Sequence, residues 1–310
     1  MKLFTGSANP EITQELAGLL ATKISASEVV RFGNSEVRVR IIEDVKNQVS
    51  IIVQPTSNPS DTNIMELCFF SDALRRQEAS KIIGVIPYFG YAKQNIAHRL
   101  GECVSANVII RLLESIGFSK IYTFDLHDEA TAGAFSIPFR NLSVFPLLAH
   151  HLATFFKKKN IPLEKIVCVS PDQGAVEKVR NFGTAFYGHD HFSEAVIEKE
   201  RDQNIMHKAR PLGLYGDVKD KIAVIVDDMV VSGSTLIPAV DLCLEKGSTE
   251  VYTCIVHHDF IEGAAELIQK SKVKRFFTTN TIKLKEAERF EKLEEISIAP
   301  ILAKELQYLV

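Results

Sequence analysis

Short apolar runs rich in β-branched residues recur along this chain, at 50–53, 82–86, 121–124, 166–169, 222–226 and 251–256. Each is bounded by Gly, Pro or Asp, and each is mostly apolar rather than alternating, the pattern of a strand covered on both faces. Stretches with helical spacing fall between several of them, at 64–79, 104–116, 235–246 and 260–270. Strand then helix, repeated, dictates parallel sheets joined by crossover helices and excludes an all-helical or all-β fold. The halves echo one another: the ten residues from Lys81 to Gly90 match those from Lys165 to Gly174 position by position, and Ile121-Tyr-Thr matches Val251-Tyr-Thr. The second half carries an extra stretch, roughly 175–230, so the echo is a duplication of domains and not a periodic array.

At 310 residues the chain exceeds what one core organises, and 46% hydrophobic residues are enough for two. We therefore expect an α/β protein of two related domains, residues 1–145 and 146–298, with a C-terminal helix at about 299–310 packing on the first. The formal net charge of −3 excludes a strongly basic nucleic-acid binder while leaving room for a locally charged anion pocket. No apolar run approaches the roughly 20 residues of a membrane span. The N-terminus also lacks the charged-then-apolar pattern of a signal peptide, so a cytoplasmic location is expected. Cys68, Cys103, Cys168, Cys243 and Cys254 follow no metal or redox spacing and read as reduced thiols, most of them in the core.

The chemistry concentrates in the segment from Lys221 to Leu236, where an apolar strand ends in Asp227 and Asp228 and Ser232-Gly-Ser-Thr235 then opens a helix. Ligands of open parallel sheets bind at the carboxyl ends of strands, and a helix N-terminus offers N–H groups to an anion. A phosphate fits that turn: Ser232, Ser234 and Thr235 supply hydroxyl donors, and Gly233 permits close backbone approach. Asp227 and Asp228 would accept from sugar hydroxyls or hold a hydrated Mg²⁺. A plain helix cap flanked by exposed acids is the alternative reading of the same residues. His127 ends one predicted strand, and Asp172 occupies the equivalent place in the second half. The polar, Gly-poor stretch 189–210 shows no clear strand period and reads as a long connection, which suits a lid. Within it Glu198-Lys-Glu-Arg-Asp202 is, on its own, a solvated charge run.

The Asp-Asp loop resembles the phosphoribosyl-binding motif of type I phosphoribosyltransferases. The chain as a whole is similar to the ribose-phosphate pyrophosphokinases, through Phe4-Thr-Gly-Ser-Ala-Asn9, Phe32-Gly-Asn-Ser-Glu36, Val85-Ile-Pro-Tyr-Phe-Gly-Tyr-Ala92, Asp125-Leu-His127, Ser170-Pro-Asp-Gln-Gly174, Lys199-Glu-Arg201, Gly216-Asp-Val-Lys219 and Thr279-Asn-Thr-Ile282. The resemblance implies two domains of type I phosphoribosyltransferase-like fold, each a mainly parallel sheet flanked by helices. It implies transfer of the pyrophosphoryl group of ATP to the C1 hydroxyl of ribose 5-phosphate, giving 5-phosphoribosyl 1-diphosphate and AMP for nucleotide biosynthesis. Lys199 and Arg201 would then be the catalytic cations of the mobile segment, with Arg201 also reaching the sugar phosphate. Phe32, Asn34, Glu36, Lys93, Gln94 and His127 would bind ATP. Asp227, Asp228, Ser232, Gly233, Ser234 and Thr235 would bind ribose 5-phosphate. His127 and Asp172 would hold Mg²⁺, with Mn²⁺ as the substitute. Phe32, Asn34 and Glu36 would reach the nucleotide of a neighbouring subunit, which requires an oligomer; the family form is a dimer-based hexamer.

The chain departs from the family pattern at 92–105. Lys93 stands where a guanidinium is usual, replacing a two-pronged donor with a point charge. Leu100, Gly101 and Cys103 interrupt a usually basic segment, so weak or absent activation by inorganic phosphate is expected. Ser136 and Arg140 replace acids, and Val231 replaces an Asp of the sugar loop. His258 matches the family, but its role stays open. Two other readings remain: a phosphoribosyltransferase that consumes the diphosphate, and a non-catalytic regulatory subunit of a synthase.

Overall fold

The computed structural model describes residues 1–201 and 209–309, with side chains described outside 199–201 and 209–212. The chain divides into two compact units, Met1–Ser143 with Thr281–Lys283 and Ser297–Val310, and Val144–Asn280 with Leu284–Ile296. The division thus falls two residues earlier than expected, and the chain after residue 280 is shared between the units.

The first unit is built on five parallel strands: β1 (Lys2–Thr5), β4 (Val49–Val53), β5 (Lys81–Val85), β6 (Lys120–Phe124) and β7 (Phe139–Leu142), in that spatial order. A separate antiparallel hairpin, β2 (Ser27–Arg31) and β3 (Val37–Ile41), pairs Arg31 with Val37 beside its turn. Its helices are α1 (Pro10–Leu19), α2 (Ser60–Arg76), α3 (Ser105–Ser115) and α8 (Ala299–Leu306). Asn9 caps α1 by accepting from the Ile12 N–H, and Pro10 at the first helical position loses nothing by lacking a donor there. α8 packs on α1, and Ser297 donates to Glu15 at 2.6 Å. The core is aromatic and aliphatic, with Phe4, Ile52, Leu67, Phe70 and Ile110 almost wholly buried.

The second unit is a seven-stranded sheet in the order β10-β9-β8-β11-β12-β13-β14, formed by β8 (Ile166–Ser170), β9 (Glu194–Arg201), β10 (Ala209–Tyr215), β11 (Ile222–Val230), β12 (Glu250–His258), β13 (Arg275–Thr279) and β14 (Leu293–Ile296). All neighbours are parallel except β9 and β10. α4 (Phe145–Lys158), α5 (Val176–Tyr187), α6 (Leu236–Glu245) and α7 (Ala264–Lys270) belong to this unit. Every residue of β8 is buried, as are the first five of β11, which explains why both read as uninterrupted apolar runs.

Two expectations need correction. The stretch 189–210 is not one long connection: β9 and β10 pair antiparallel, Arg201 facing Ala209, and residues 202–208 lie outside the described residues. The strand period is present in Glu194-Ala-Val-Ile-Glu198, where Ala195 and Ile197 are buried and their neighbours half-buried. Its brevity and the charges beyond it hid it. The strand expected to stop at Val226 runs on to Val230, so Asp227 and Asp228 sit in the strand itself, with Asp227 paired to Ile255 of β12.

Candidate active site

In the second unit the relevant groups gather at the carboxyl ends of β8 and β11, which lie side by side with Ile225 opposite Val169. Strand geometry sends Asp227 and Asp228 to opposite faces. Asp228 is only 3% exposed, and Lys178 from α5 donates to its Oδ1 at 2.8 Å. A buried carboxylate without such a partner would cost several kcal/mol, so this pair lets a charge persist under the sheet edge. The Asp228 N–H donates to Asp227 Oδ1 at 2.9 Å. Burial pushes the Asp227 carboxyl well above the usual carboxylate range; Asp228 and Asp172 push the same way, and Lys178 pulls back. Asp172, two residues beyond the end of β8, accepts from the Ala175 N–H at 3.2 Å through Oδ1, and the Ser170 hydroxyl donates to its carbonyl at 2.6 Å. Asp228 and Asp172 thus add negative charge around Asp227 that Lys178, bonded to Asp228, only partly offsets, the condition for receiving a cation or the hydroxyl donors of a sugar.

The turn that follows opens α6. Gly233 has φ +78°, a conformation in which L side chains are strained, and its carbonyl accepts from the Ile237 N–H at 2.9 Å. The Ser232 hydroxyl donates to the Ser234 hydroxyl at 2.8 Å and accepts from the Ser234 N–H at 3.3 Å. Hydroxyls and backbone donors are thus folded into one small turn at a helix N-terminus, with Thr235 immediately before α6, a cradle for a phosphate.

β9 pairs Val196 with Ser170, the last residue of β8. Lys199 and Arg201 therefore lie three and five residues farther along, about 10 and 17 Å of strand beyond that edge. Their side chains lie outside the described ones, so only the direction of the strand is fixed. It runs past the edge that carries Asp172.

In the first unit the corresponding edge joins the connections after β5 and β6. The Asn95 amide donates to Asp128 Oδ2 at 2.6 Å, which brings the segment holding Lys93 and Gln94 beside the loop holding His127. His127, Lys93 and Gln94 are all exposed. The Ser105 hydroxyl donates to Gln94 Oε1 at 2.7 Å, and the Gln94 carbonyl accepts from the Ala106 N–H, so Gln94 also anchors the start of α3. Tyr91 holds φ +66°, rare for an aromatic residue, with its hydroxyl donating to Asp61 of α2. Asp125 is buried at φ +34°, its N–H given to the Leu142 carbonyl, a strained turn that sets the exit of β6 toward His127.

Phe32, Asn34 and Glu36 form the tip joining β2 to β3, and Phe32 is 44% exposed. The Phe32 N–H donates to the Glu36 carbonyl at 2.8 Å, the Ser35 N–H to the Phe32 carbonyl at 2.9 Å and the Glu36 N–H to Asn34 Oδ1 at 3.2 Å. The Arg38 guanidinium lies 5.8 Å from the Phe32 ring centroid.

Among the described residues no three His, Cys, Asp or Glu side chains gather into a preformed metal cage. A cation here would take one or two protein carboxylates and complete its shell from ligand phosphates, the habit of Mg²⁺, and the charge excess around Asp227 fits that demand. Cys68, Cys168, Cys243 and Cys254 are buried and Cys103 is exposed. Burial pushes the Cys68 thiol up to about 11 and those of Cys168 and Cys243 up to about 12, which rules them out as thiolates at neutral pH. His257 and His258 are both buried, 2% and 1% exposed, and do not form an open metal pair. Lys178 is a group of the site that sequence reading missed; its position on the first turn of the helix after Asp172 was the available signal. No helix among the described residues is long and apolar enough to cross a membrane.

Known proteins place this arrangement. Residues 1–117 match the N-terminal domain of ribose phosphate pyrophosphokinase, and residues 189–309 match the phosphoribosyl synthetase-associated domain. The ribose-phosphate pyrophosphokinase of Bacillus subtilis is 34% identical over 304 residues, spanning 98% of this chain and 92% of the relative. The chloroplastic ribose-phosphate pyrophosphokinase 2 of Arabidopsis thaliana is 33% identical over 304 residues, spanning 98% and 74%. The crystal structure of phosphoribosylpyrophosphate synthetase from Mycobacterium smegmatis superposes with a TM-score of 0.89 at 30% identity, covering 99% of this chain and 98% of that one. With similarity from end to end in both sequence and fold, the chain belongs to the ribose-phosphate pyrophosphokinase family of enzymes.

Proposed function

We propose that this chain transfers the pyrophosphoryl group of ATP to the C1 hydroxyl of ribose 5-phosphate, forming 5-phosphoribosyl 1-diphosphate and AMP. The O1–Pβ bond forms as the bond from Pβ to the oxygen bridging it to the α-phosphate breaks, and the C1 hydroxyl loses its proton. The observation that carries this reading is the end of β11. Two adjacent acids, Asp227 and the Lys178-bonded Asp228, run directly into the Ser232–Thr235 turn at the start of α6, offering acceptors for a sugar and donors for its phosphate within nine residues.

On this reading the 5-phosphate rests on Ser232, Gly233, Ser234 and Thr235, and Asp227 and Asp228 accept from ribose hydroxyls, fixing the C1 hydroxyl for in-line attack. Lys199 and Arg201, on the strand that leaves the edge beside Asp172, bring positive charge to the transferred group. Phe32, Asn34 and Glu36 contact the adenine of a neighbouring subunit, which calls for an oligomer, with the dimer-based hexamer as the proposed form. Lys93 and Gln94 approach the nucleotide within their own chain. His127 and Asp172 would each offer a ligand to Mg²⁺, or to Mn²⁺ in its place, which when bound would neutralise charge on the triphosphate. Isolated protein given ATP and ribose 5-phosphate, followed by ³¹P NMR, tests the reading: AMP and the sugar diphosphate are expected in equal amounts. ADP as product, or no turnover, overturns it.

A further inference from the structure

Glu66, on α2, is a fully buried acidic side chain and lies on neither strand edge described above. Its Oε1 accepts from the Ser7 N–H at 2.6 Å and from the Gln54 amide at 3.2 Å, and its Oε2 accepts from the Ser7 hydroxyl at 2.6 Å. Gln54 in turn accepts from the Ala8 N–H at 3.0 Å. Gly6 leaves room for this knot, since a Cβ there would stand 2.1 Å from Gln54 Oε1. Within the 4–9 motif, to which the reaction assigns no role, Ser7 therefore grips this carboxyl directly and Ala8 reaches it through Gln54. The compensating charge comes from Arg31, whose Nη2 lies 3.5 Å from Glu66 Oε2. The other terminal nitrogen of the same guanidinium, Nη1, donates to the Ser35 carbonyl at 3.2 Å. Arg31 immediately precedes Phe32, so one planar fork joins a buried anion to the outermost carbonyl of an exposed turn.

We infer that Arg31 and Glu66 are positioning residues for nucleotide binding: the fork pins the Phe32–Glu36 tip to the interior of its own unit, so that Phe32, Asn34 and Glu36 meet the base already ordered. This rests on the proposed role of the tip. The physical reason for such a device is entropy. Five exposed residues on a two-stranded hairpin, held otherwise only by the tip's own hydrogen bonds, would give up more conformational freedom when ATP binds. A lysine cannot replace the arginine fully, because one ammonium does not span both acceptors in a fixed plane.

The experiment pairs amide hydrogen exchange of Phe32, Ser35 and Glu36 with steady-state kinetics, on the full-length protein carrying Arg31→Met, Arg31→Lys or, as reference, Asn34→Ala. In Arg31→Met, exchange at the tip is expected to quicken about tenfold and the KM for ATP to rise about tenfold. The kcat and the KM for ribose 5-phosphate should stay within twofold, and Arg31→Lys should fall between. Unchanged exchange overturns the inference even if the KM for ATP rises, since Arg31 would then act by touching the nucleotide. Quickened exchange with an unchanged KM for ATP overturns it too, provided Asn34→Ala raises that KM. If Asn34→Ala leaves the KM for ATP unchanged, the reading of the tip itself falls and takes the positioning role with it. Glu66→Gln in the Arg31→Met background should add less than twofold to either readout; a further tenfold would show that Glu66 serves the core alone.

Discussion

The end of β11 and the tip of the β2–β3 hairpin both present polar groups for a ligand, and they do it by opposite means. At β11 the acids are drawn into the sheet: Asp228 is 3% exposed and held by Lys178, and the half-buried Asp227 has its carboxyl forced upward by desolvation and neighbouring acids. At the hairpin the groups are on the surface, tied by backbone hydrogen bonds and by the Arg31 guanidinium donating to the Ser35 carbonyl. A strand edge inside a seven-stranded sheet can keep charges in place at the cost of desolvating them. A two-stranded turn has no interior of its own and borrows one. The first arrangement couples ligand affinity to fold stability; the second separates them.

The largest test lies outside both regions. Lys199→Ala should lower kcat by about 1,000-fold while the KM for ribose 5-phosphate stays within a few-fold, as single-turnover and steady-state rates would show. Equal losses in both parameters would move Lys199 into the sugar site and blur the contrast. Next, Asp228→Ala should raise the KM for ribose 5-phosphate by about 100-fold and, by stranding the ammonium of Lys178, destabilise the fold by about 3 kcal/mol in urea. A rise confined to the KM for ATP would show that the sugar does not sit at β11.

The third test uses pH. His258, paired across the sheet with Val230, is 1% exposed and pushed down to about 3, first by desolvation and then by the charges of His257, Arg289 and Lys285. The unfolded chain takes up this proton near pH 6.5 and the folded chain near pH 3. The contribution of His258 is therefore complete above about pH 6.5 and is lost as pH falls through that window, by about 1 kcal/mol per pH unit. Replacement of the imidazole in His258→Asn should flatten that part of the stability profile; an unchanged slope would place the titration elsewhere. The smallest effect belongs to the hairpin: Asn34→Ala should raise the KM for ATP about tenfold and shift stability by less than about 0.5 kcal/mol. Destabilisation on the scale of Asp228→Ala would erase the distinction between the two regions.

Reading the sequence recovered what depends on neighbours in the chain. The runs at 50–53, 82–86, 121–124 and 166–169 became β4, β5, β6 and β8 within a residue or two at each end, because strands buried on both faces must be apolar throughout. The turn at Ser232–Thr235 was legible for a similar reason, since glycine and hydroxyls before a helix follow from local backbone needs. β1, β2, β3, β7, β13 and β14 carry the same local chemistry in segments too short or too polar to stand out, and β9 and β10 were concealed among charges.

The sequence by itself determined the parallel α/β plan, the duplication and the family, all of them written in periodicity and short motifs. Only the tertiary structure decided that Asp227 and Asp228 lie within β11, that Lys178 is the partner of Asp228, and that Arg31 joins Ser35 to a carboxylate 35 residues farther along the chain. Those pairings are set by which strands become neighbours and which face a helix turns inward. Burial then gives an ordinary Asp or Glu a partner that spacing along the chain does not specify.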